Sequence, residues 1–249
     1  MAFTSDKEDK QLYSRADDVL RLSELRKSPC FLGFLNERER YLLEKHLSFS
    51  DSISFYGGYD NAQRTVMGSC IYELEPEDYP IKKLCFKFRK TDKLSHRDFL
   101  GSLMGLGIER DCVGDILVGE GYAAVFVKDE IAPYIDSQLS KVGRVGVTLI
   151  DEKDCRLSFT PETEIKSVIV SSMRLDVIVA ALTNLSRGKT SELIVSGKVF
   201  VNYSECKNTS LILKENDILT IRGNGKFIVK EQSGTTKKGR IKINIVHYR

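Results

Sequence analysis

The sequence predicts an α+β chain of three modules: a helical N-terminal region (1–75), a split βαβ middle domain (76–165) and a small C-terminal domain of paired helices and a β-hairpin (166–249). Three observations carry this. Apolar residues recur at helical intervals through much of the first 75 positions. Between 80 and 150 the pattern runs strand, helix, strand, strand, helix, strand. After Arg174 it reads helix, turn, helix, short strand, and then two alternating runs meet at Gly223-Asn224-Gly225, a hairpin signal.

In the first module, Leu12, Val19, Leu20, Leu22 and Leu25 predict a helix over Gln11–Arg26 that Pro29 ends. Asn36, with Glu39 three residues on, caps a second helix running to Leu47. Ile53–Tyr56 then reads as a strand entering Gly57-Gly58-Tyr59-Asp60. The G-x-G-x-x-G spacing of a nucleotide loop is absent there, so a tight turn is expected.

In the middle module, Leu84, Phe86 and Phe88 alternate with Lys83, Cys85, Lys87 and Arg89, which makes one strand face apolar and the other basic. Ser95 and Asp98 open a helix whose buried stripe is Phe99, Leu103 and Leu106. Strands Asp115–Val118 and Tyr122–Val127, a helix over 129–141 and a strand over 145–150 complete a four-stranded antiparallel sheet with both helices on one face. On the other face Tyr122 and Phe126 join Lys83, Lys87 and Arg89 as a candidate secondary RNA surface. Residues 120–127 resemble the RNA-recognition-motif signature at Gly121, Tyr122, Ala123 and Val125, but lack its leading cation and carry Ala124 where a stacking Phe is expected. The competing expectation is that this face packs on a neighbour.

In the third module, Leu175, Ile178, Val179 and Leu182 line one face of a first helix. Ser186 caps a second, with Arg187, Lys189 and Thr190 in its first turn; it carries Leu193, Ile194 and Val195 and stops at Gly197. Cations at a helix N-terminus oppose the helix dipole, so their presence there points to a bound anion such as phosphate. Arg174 is expected beside them if the helices pack antiparallel, and Lys198 and Asn202 border the same surface from the following strand. Lys237, Lys238 and Arg240 would extend it from a mobile loop, marked by Gly234-Thr235-Thr236 and Gly239, ahead of a last strand over Ile241–Val246.

The net charge of +3 is unevenly divided. Residues 167–249 hold 14 Lys/Arg against 6 Asp/Glu, a surplus of eight, leaving residues 1–166 five negative. Six scattered cysteines without a Cys-x-x-Cys pair, and three dispersed histidines, predict neither a metal site nor a disulfide framework. No secretory leader or membrane-length apolar run is evident, so a cytoplasmic protein with reduced thiols is expected.

Arg174-Leu175-Asp176, Ser186-Arg187, Ser191, Ile194, Gly197 and Val199-Phe200-Val201-Asn202 resemble, in order, the RNA-binding module of small-subunit ribosomal protein S-four. Leu213-Lys214-Glu215-Asn216-Asp217 continues the resemblance, with Asn216 in place of the usual Gly. Together with Gly57-Gly58-Tyr59, His96–Gly101, Gly105–Arg110 and Gly114-Asp115-Ile116, the chain resembles the YlmH-type RNA-binding proteins of bacteria over nearly its whole length. The resemblance implies a ribosome-associated protein binding structured RNA (rRNA or tRNA), related to factors that act on large subunits still holding peptidyl-tRNA. A monomer without cofactor, metal or catalytic residue is expected.

The alternatives are a ribosome-assembly factor and an RNA-modifying enzyme of the pseudouridine-synthase kind, whose catalytic Asp also lies in an Arg-Leu-Asp sequence. Against the enzyme, Asp176 is followed by Val177-Ile178-Val179 instead of Thr-Ser-Gly. His96-Arg97-Asp98 is read as a helix cap with no nucleophile beside it.

Overall fold

The structure, a computed structural model, describes residues 2–47, 52–155, 157, 163–236 and 239–248. Lys237 and Lys238 lie outside the described residues. The chain divides into two compact units, Met1–Phe159 and Thr160–Arg249.

The first unit opens with helix α1 (Ala2–Arg26), which Lys27 ends in the left-handed conformation at φ 51°. Its inner stripe is Leu12, Ala16, Val19 and Ser23, while Leu25 points outward at 77% exposure. Strand β1 (Cys30–Leu35) follows, an element the sequence pattern does not announce. Helix α2 (Glu37–His46) closes as expected, with Glu39 N–H donating to Asn36 Oδ1 (3.0 Å) and Asn36 N–H donating to Glu39 Oε2 (2.7 Å). Strands β2 (Ile53–Tyr56) and β3 (Thr65–Ser69) complete an antiparallel sheet of order β1-β3-β2. The N-terminal region is thus helical with a small sheet of its own.

The middle elements follow the split order. Strand β4 (Ile81–Lys87), helix α3 (His96–Gly105), strands β5 (Val113–Gly119) and β6 (Tyr122–Lys128), and helix α4 (Ala132–Gln138) precede a short ribbon of β7 (Lys141–Val142) and β8 (Val145–Gly146), then β9 (Thr148–Ile150). The sheet order is β5-β6-β4-β9, antiparallel throughout. Leu84, Phe86, Phe99, Leu103, Val125 and Val127 pack between sheet and helices. Asp98 takes the backbone N–H of Ser95 at 2.8 Å, the cap predicted for α3.

The second sheet face is not open. Ala124, Cys85 and Phe126 pack in one cluster with Phe34 and Val66 of the N-terminal sheet and with Tyr79. Phe126 is 1% exposed and stacks on Tyr59, ring centroids 4.9 Å apart. Gly58 makes that approach possible: at φ +94°, its absent Cβ would sit 2.4 Å from the Phe126 ring. Of the two expectations for this face, packing on a neighbour holds, and the neighbour is the chain's own N-terminal region.

In the second unit, strand β10 (Thr163–Val170) precedes helices α5 (Leu175–Thr183) and α6 (Arg187–Val195). Strands β11 (Val199–Val201), β12 (Ser204–Glu205), β13 (Ile218–Ile221), β14 (Gly225–Thr235) and β15 (Ile241–Tyr248) follow. They form one sheet of order β10-β15-β14-β13-β11-β12. Because β10 pairs with β15 from Thr163 onward, this unit begins before residue 166. Strand β14 also runs through Gly234 and Thr235, where the sequence suggests a loop. Leu175, Ile178, Val179 and Ile194 cover one sheet face, packing on Val199, Leu219, Phe227, Val229, Ile243 and Ile245.

Candidate nucleic-acid interface

Both helices of the α5–α6 pair carry cations at their starts, Arg174 at the cap position of α5 and Arg187 and Lys189 in the first turn of α6. Segment 209–213 lies along the start of α5: Leu211 and Thr209 carbonyls accept from Leu175 N–H (2.8 Å) and Asp176 N–H (3.1 Å), and Leu213 N–H donates to Met173 (2.8 Å). The first two bonds occupy donors that a helix start leaves unmatched. Arg174 sits at the α5 cap position and donates from Nε (3.0 Å) and Nη2 (2.8 Å) to the two Asp176 oxygens. Asp176, 6% exposed, also accepts from Val177 N–H at 2.9 Å. The bidentate pair fixes the plane of the Arg174 guanidinium.

The Arg174 hydrogen bonds hold the Asp176 carboxyl below the usual carboxylate range against the opposing effect of burial, and the nearby charge of Arg187 acts in the same direction. Asp176 thus feels both cations, Arg174 through its hydrogen bonds and Arg187 through its charge. A carboxylate with a lowered folded-state pKa contributes stability that is complete above its unfolded value, about 3.9, and is lost as pH falls through the folded value. Thermal melts of the second unit should therefore lose stability on acidification below pH 4, and Asp176→Asn should flatten that part of the profile. An identical acid slope in the variant would mean the pair adds nothing to folding.

Helix α6 starts differently. Ser186 has cap dihedrals (φ −65°, ψ 156°) but forms no side-chain cap bond, and the first turn carries no acidic residue. Ser186, Arg187, Gly188 and Lys189 are all exposed, and a Cβ on Gly188 would meet nothing within 4 Å. Positive dipole end and two cations thus face solvent together.

Two residues expected on this surface are placed elsewhere. Thr190 is 0% exposed, and its hydroxyl donates to Ser186 C=O at 3.0 Å, so it faces the core in line with Ile194 one turn on. Asn202, at φ 49°, gives its amide to Asp217 Oδ1 (2.8 Å) and accepts from Ile218 N–H (3.0 Å), tying the turn after β11 to the turn at 213–217. Asn216 adopts the left-handed conformation (φ 66°) that its place in that turn requires. Lys198 and Arg240 are exposed, and Arg240 closes a turn with Thr236 through N–H to Oγ1 at 3.1 Å.

In the first unit the secondary surface is mostly committed to the fold. Phe126 is buried, which removes it as a stacking ring. Lys83 is bound to Glu152 at 2.8 Å, and Arg89 to Asp92 at 2.9 Å. Lys87 is exposed and Tyr122 half-buried, paired across β4 and β6. Asp115 is a hub that sequence reasoning did not single out as such. It accepts from Tyr59 Oη (2.8 Å), Gln63 N–H (2.7 Å) and Arg64 N–H (3.1 Å), while Arg64 reaches the carbonyls of Val113, Phe34 and Arg110. Burial first, and then the charge of Arg110, push the Arg64 pKa down to about 10. Among the described residues, no group of three or more His, Cys, Asp and Glu is arranged to hold a metal, and no helix is long and apolar enough to cross a membrane.

Residues 75–155 match the family model of the RNA-binding domain in YlmH, and residues 173–219 match the S4 domain. The chain is 33% identical over 216 residues to the "Ribosome-associated protein quality control protein P2" of Bacillus subtilis (strain 168), covering 84% of each chain. Among solved structures, the "Cell division protein ylmH" from Streptococcus pneumoniae is 20% identical at a TM-score of 0.49, covering 61% of this chain and 95% of that one.

Proposed function

The chain belongs to the YlmH-type family of ribosome-associated quality-control proteins, and from that premise we propose that it is a non-enzymatic factor that binds the large ribosomal subunit through structured rRNA or tRNA. The observation that carries this reading is the exposed start of α6, where Arg187, Gly188 and Lys189 face solvent with no acidic residue in the turn. Phosphate oxygens suit that end of a helix, and contacts of this kind recognise RNA shape more than base order. Lys198 and Arg240 add exposed positive charge to the same unit, and Lys237 and Lys238 are assigned to it on sequence grounds.

Asp176 bears on the enzymatic alternative. In a modifying enzyme of the pseudouridine-synthase kind the Arg-Leu-Asp carboxylate must reach substrate. Here both its oxygens are bound to Arg174, and the side chain is buried. That arrangement is a buttress for the cation, which favours binding over catalysis.

Sedimentation tests the reading. In a low-salt sucrose gradient of cell lysate the protein should travel with large-subunit particles, and raising the salt should release it as counterions replace phosphate contacts. Free migration at low salt would remove the ribosome from the proposal. Migration with small subunits alone would remove the large subunit.

A further inference from the structure

We propose that the outer face of the six-stranded sheet, opposite the two helices, is a second RNA surface that takes single-stranded nucleotides by stacking. The proposal stands on this face alone and does not depend on the role of α6. Cross-strand register puts Phe200 opposite Thr220, Thr220 opposite Lys226, and Lys226 opposite Tyr248, one continuous row across four strands. Alternation turns all four away from the core side chains Val199, Ile221, Phe227 and Val229.

Each ring at this face has a cation over it. The Arg222 guanidinium lies 5.1 Å from the Phe200 centroid, and Lys226 Nζ lies 5.1 Å from Tyr248 and 5.7 Å from Tyr203. Rings interleaved with cations are the composition of a single-strand platform, in which bases stack while the backbone meets positive charge. With strands about 4.8 Å apart, Phe200 and Tyr248 are separated by ~14 Å, enough for more than one nucleotide between them.

A second row runs beside the first. Ile218, Ile228, Val246 and Ile165 are opposite one another across β13, β14, β15 and β10, and Ile165 is 71% exposed. A water-facing aliphatic row of this kind marks a contact surface. Charge decides what meets it. Arg222, Lys226 and Lys242 stand at this face, and the acid at its edge, Glu205 opposite Phe200, is bound to Lys207 at 3.0 Å. A polyanion with flat apolar bases matches both rows, whereas an apolar protein surface would leave these cations buried against nothing.

The test separates stacking from charge. A fluorescein-labelled octauridylate and an abasic octamer of equal length and charge are titrated against the full chain, and the ratio of their dissociation constants is read. Stacking predicts that the abasic strand binds about tenfold more weakly or worse, the effect of at least one stacked base. The variant Phe200→Leu with Tyr203→Leu and Tyr248→Leu should bring the ratio to one, while Arg187→Ala with Lys189→Ala should preserve it. A ratio of one in the unaltered chain, or an unchanged ratio in the leucine variant, would overturn the proposal and leave the face to a protein partner. Photo-crosslinking of the unaltered chain with a 4-thiouridine octamer guards against a variant that fails to fold. Crosslinked peptides should contain Phe200, Tyr203 or Tyr248; crosslinks confined to other segments would equally reject the platform.

Discussion

Replacing Asp115 with alanine should destabilise the first unit by about 3–5 kcal/mol, enough to consume a large part of the stability of an ordinary domain. The side chain is 8% exposed and accepts from three donors, two of them backbone N–H groups in the turn between β2 and β3. Alanine would leave Gln63 N–H, Arg64 N–H and the Tyr59 hydroxyl without their acceptor. An abandoned buried donor costs about 1–3 kcal/mol, reduced where water can reach it. The loss also spreads: the turn held by Asp115 positions Tyr59 on Phe126, and Arg64 on three carbonyls that join β1 to the start of β5. Asp115→Asn keeps one carbonyl oxygen and should cost less than half as much. Urea unfolding followed by circular dichroism and tyrosine fluorescence, the chain having no Trp, measures both variants. Coincident curves for Asp115→Ala and the unaltered chain would show that the network contributes nothing net.

Asp115 also shows what a sequence conveys and what it withholds. Gly114-Asp115-Ile116 is legible as part of a family resemblance, but its physical reason needs the fold. A register shift in the β5–β6 pairing falls between Val113 and Ile116. Gly114 there admits the Phe34 ring, which a Cβ would approach to 2.5 Å, and Asp115 faces the turn. Local signals were readable because they are closed within a few residues: the Asn36–Glu39 cap, the left-handed Asn216 and the hairpin at Gly223–Gly225; the tight turn expected at Gly57-Gly58 is instead the start of a longer connection between β2 and β3. The covered face of the middle sheet was not readable, since Lys83, Cys85, Lys87 and Tyr122, Ala124, Phe126 alternate identically whether that face meets RNA or another sheet. Strand β10 escaped because its more apolar side, Ile165 and Ile169, points outward at 71% and 53% exposure. At the candidate site, Thr190 illustrates a signal present but unused. It is one helical turn from Ile194, so a buried Ile194 places Thr190 inward, while Arg187 and Lys189 flank the outward arc.

That arc carries the largest functional effect expected. Changing Arg187 and Lys189 together to alanine should weaken binding to ribosomal particles by on the order of 1–3 kcal/mol, roughly 5- to 150-fold, taking the pair as charge-assisted phosphate contacts. Both side chains are exposed, and neither donates in a hydrogen bond that the helix pair needs, so the melting curve should stay where it is. Alanine also relieves two cations at the positive end of α6, which offsets any small loss of stability. The salt dependence gives an independent reading, because each lost phosphate contact should lower the log–log slope by up to about one unit. Thr190→Val is the matched control: its hydroxyl is spent on Ser186 C=O inside the fold, so this variant should shift the melt and leave the slope alone. Lys198→Ala alone should produce a smaller change of the same kind, from one exposed cation on the strand side. If the Arg187/Lys189 variant kept full affinity and an unaltered slope with its melting curve unmoved, the start of α6 would not be where this protein meets RNA. The basic charge of the second unit would then have to act from another of its surfaces, and the salt slope of the unaltered chain would still report it.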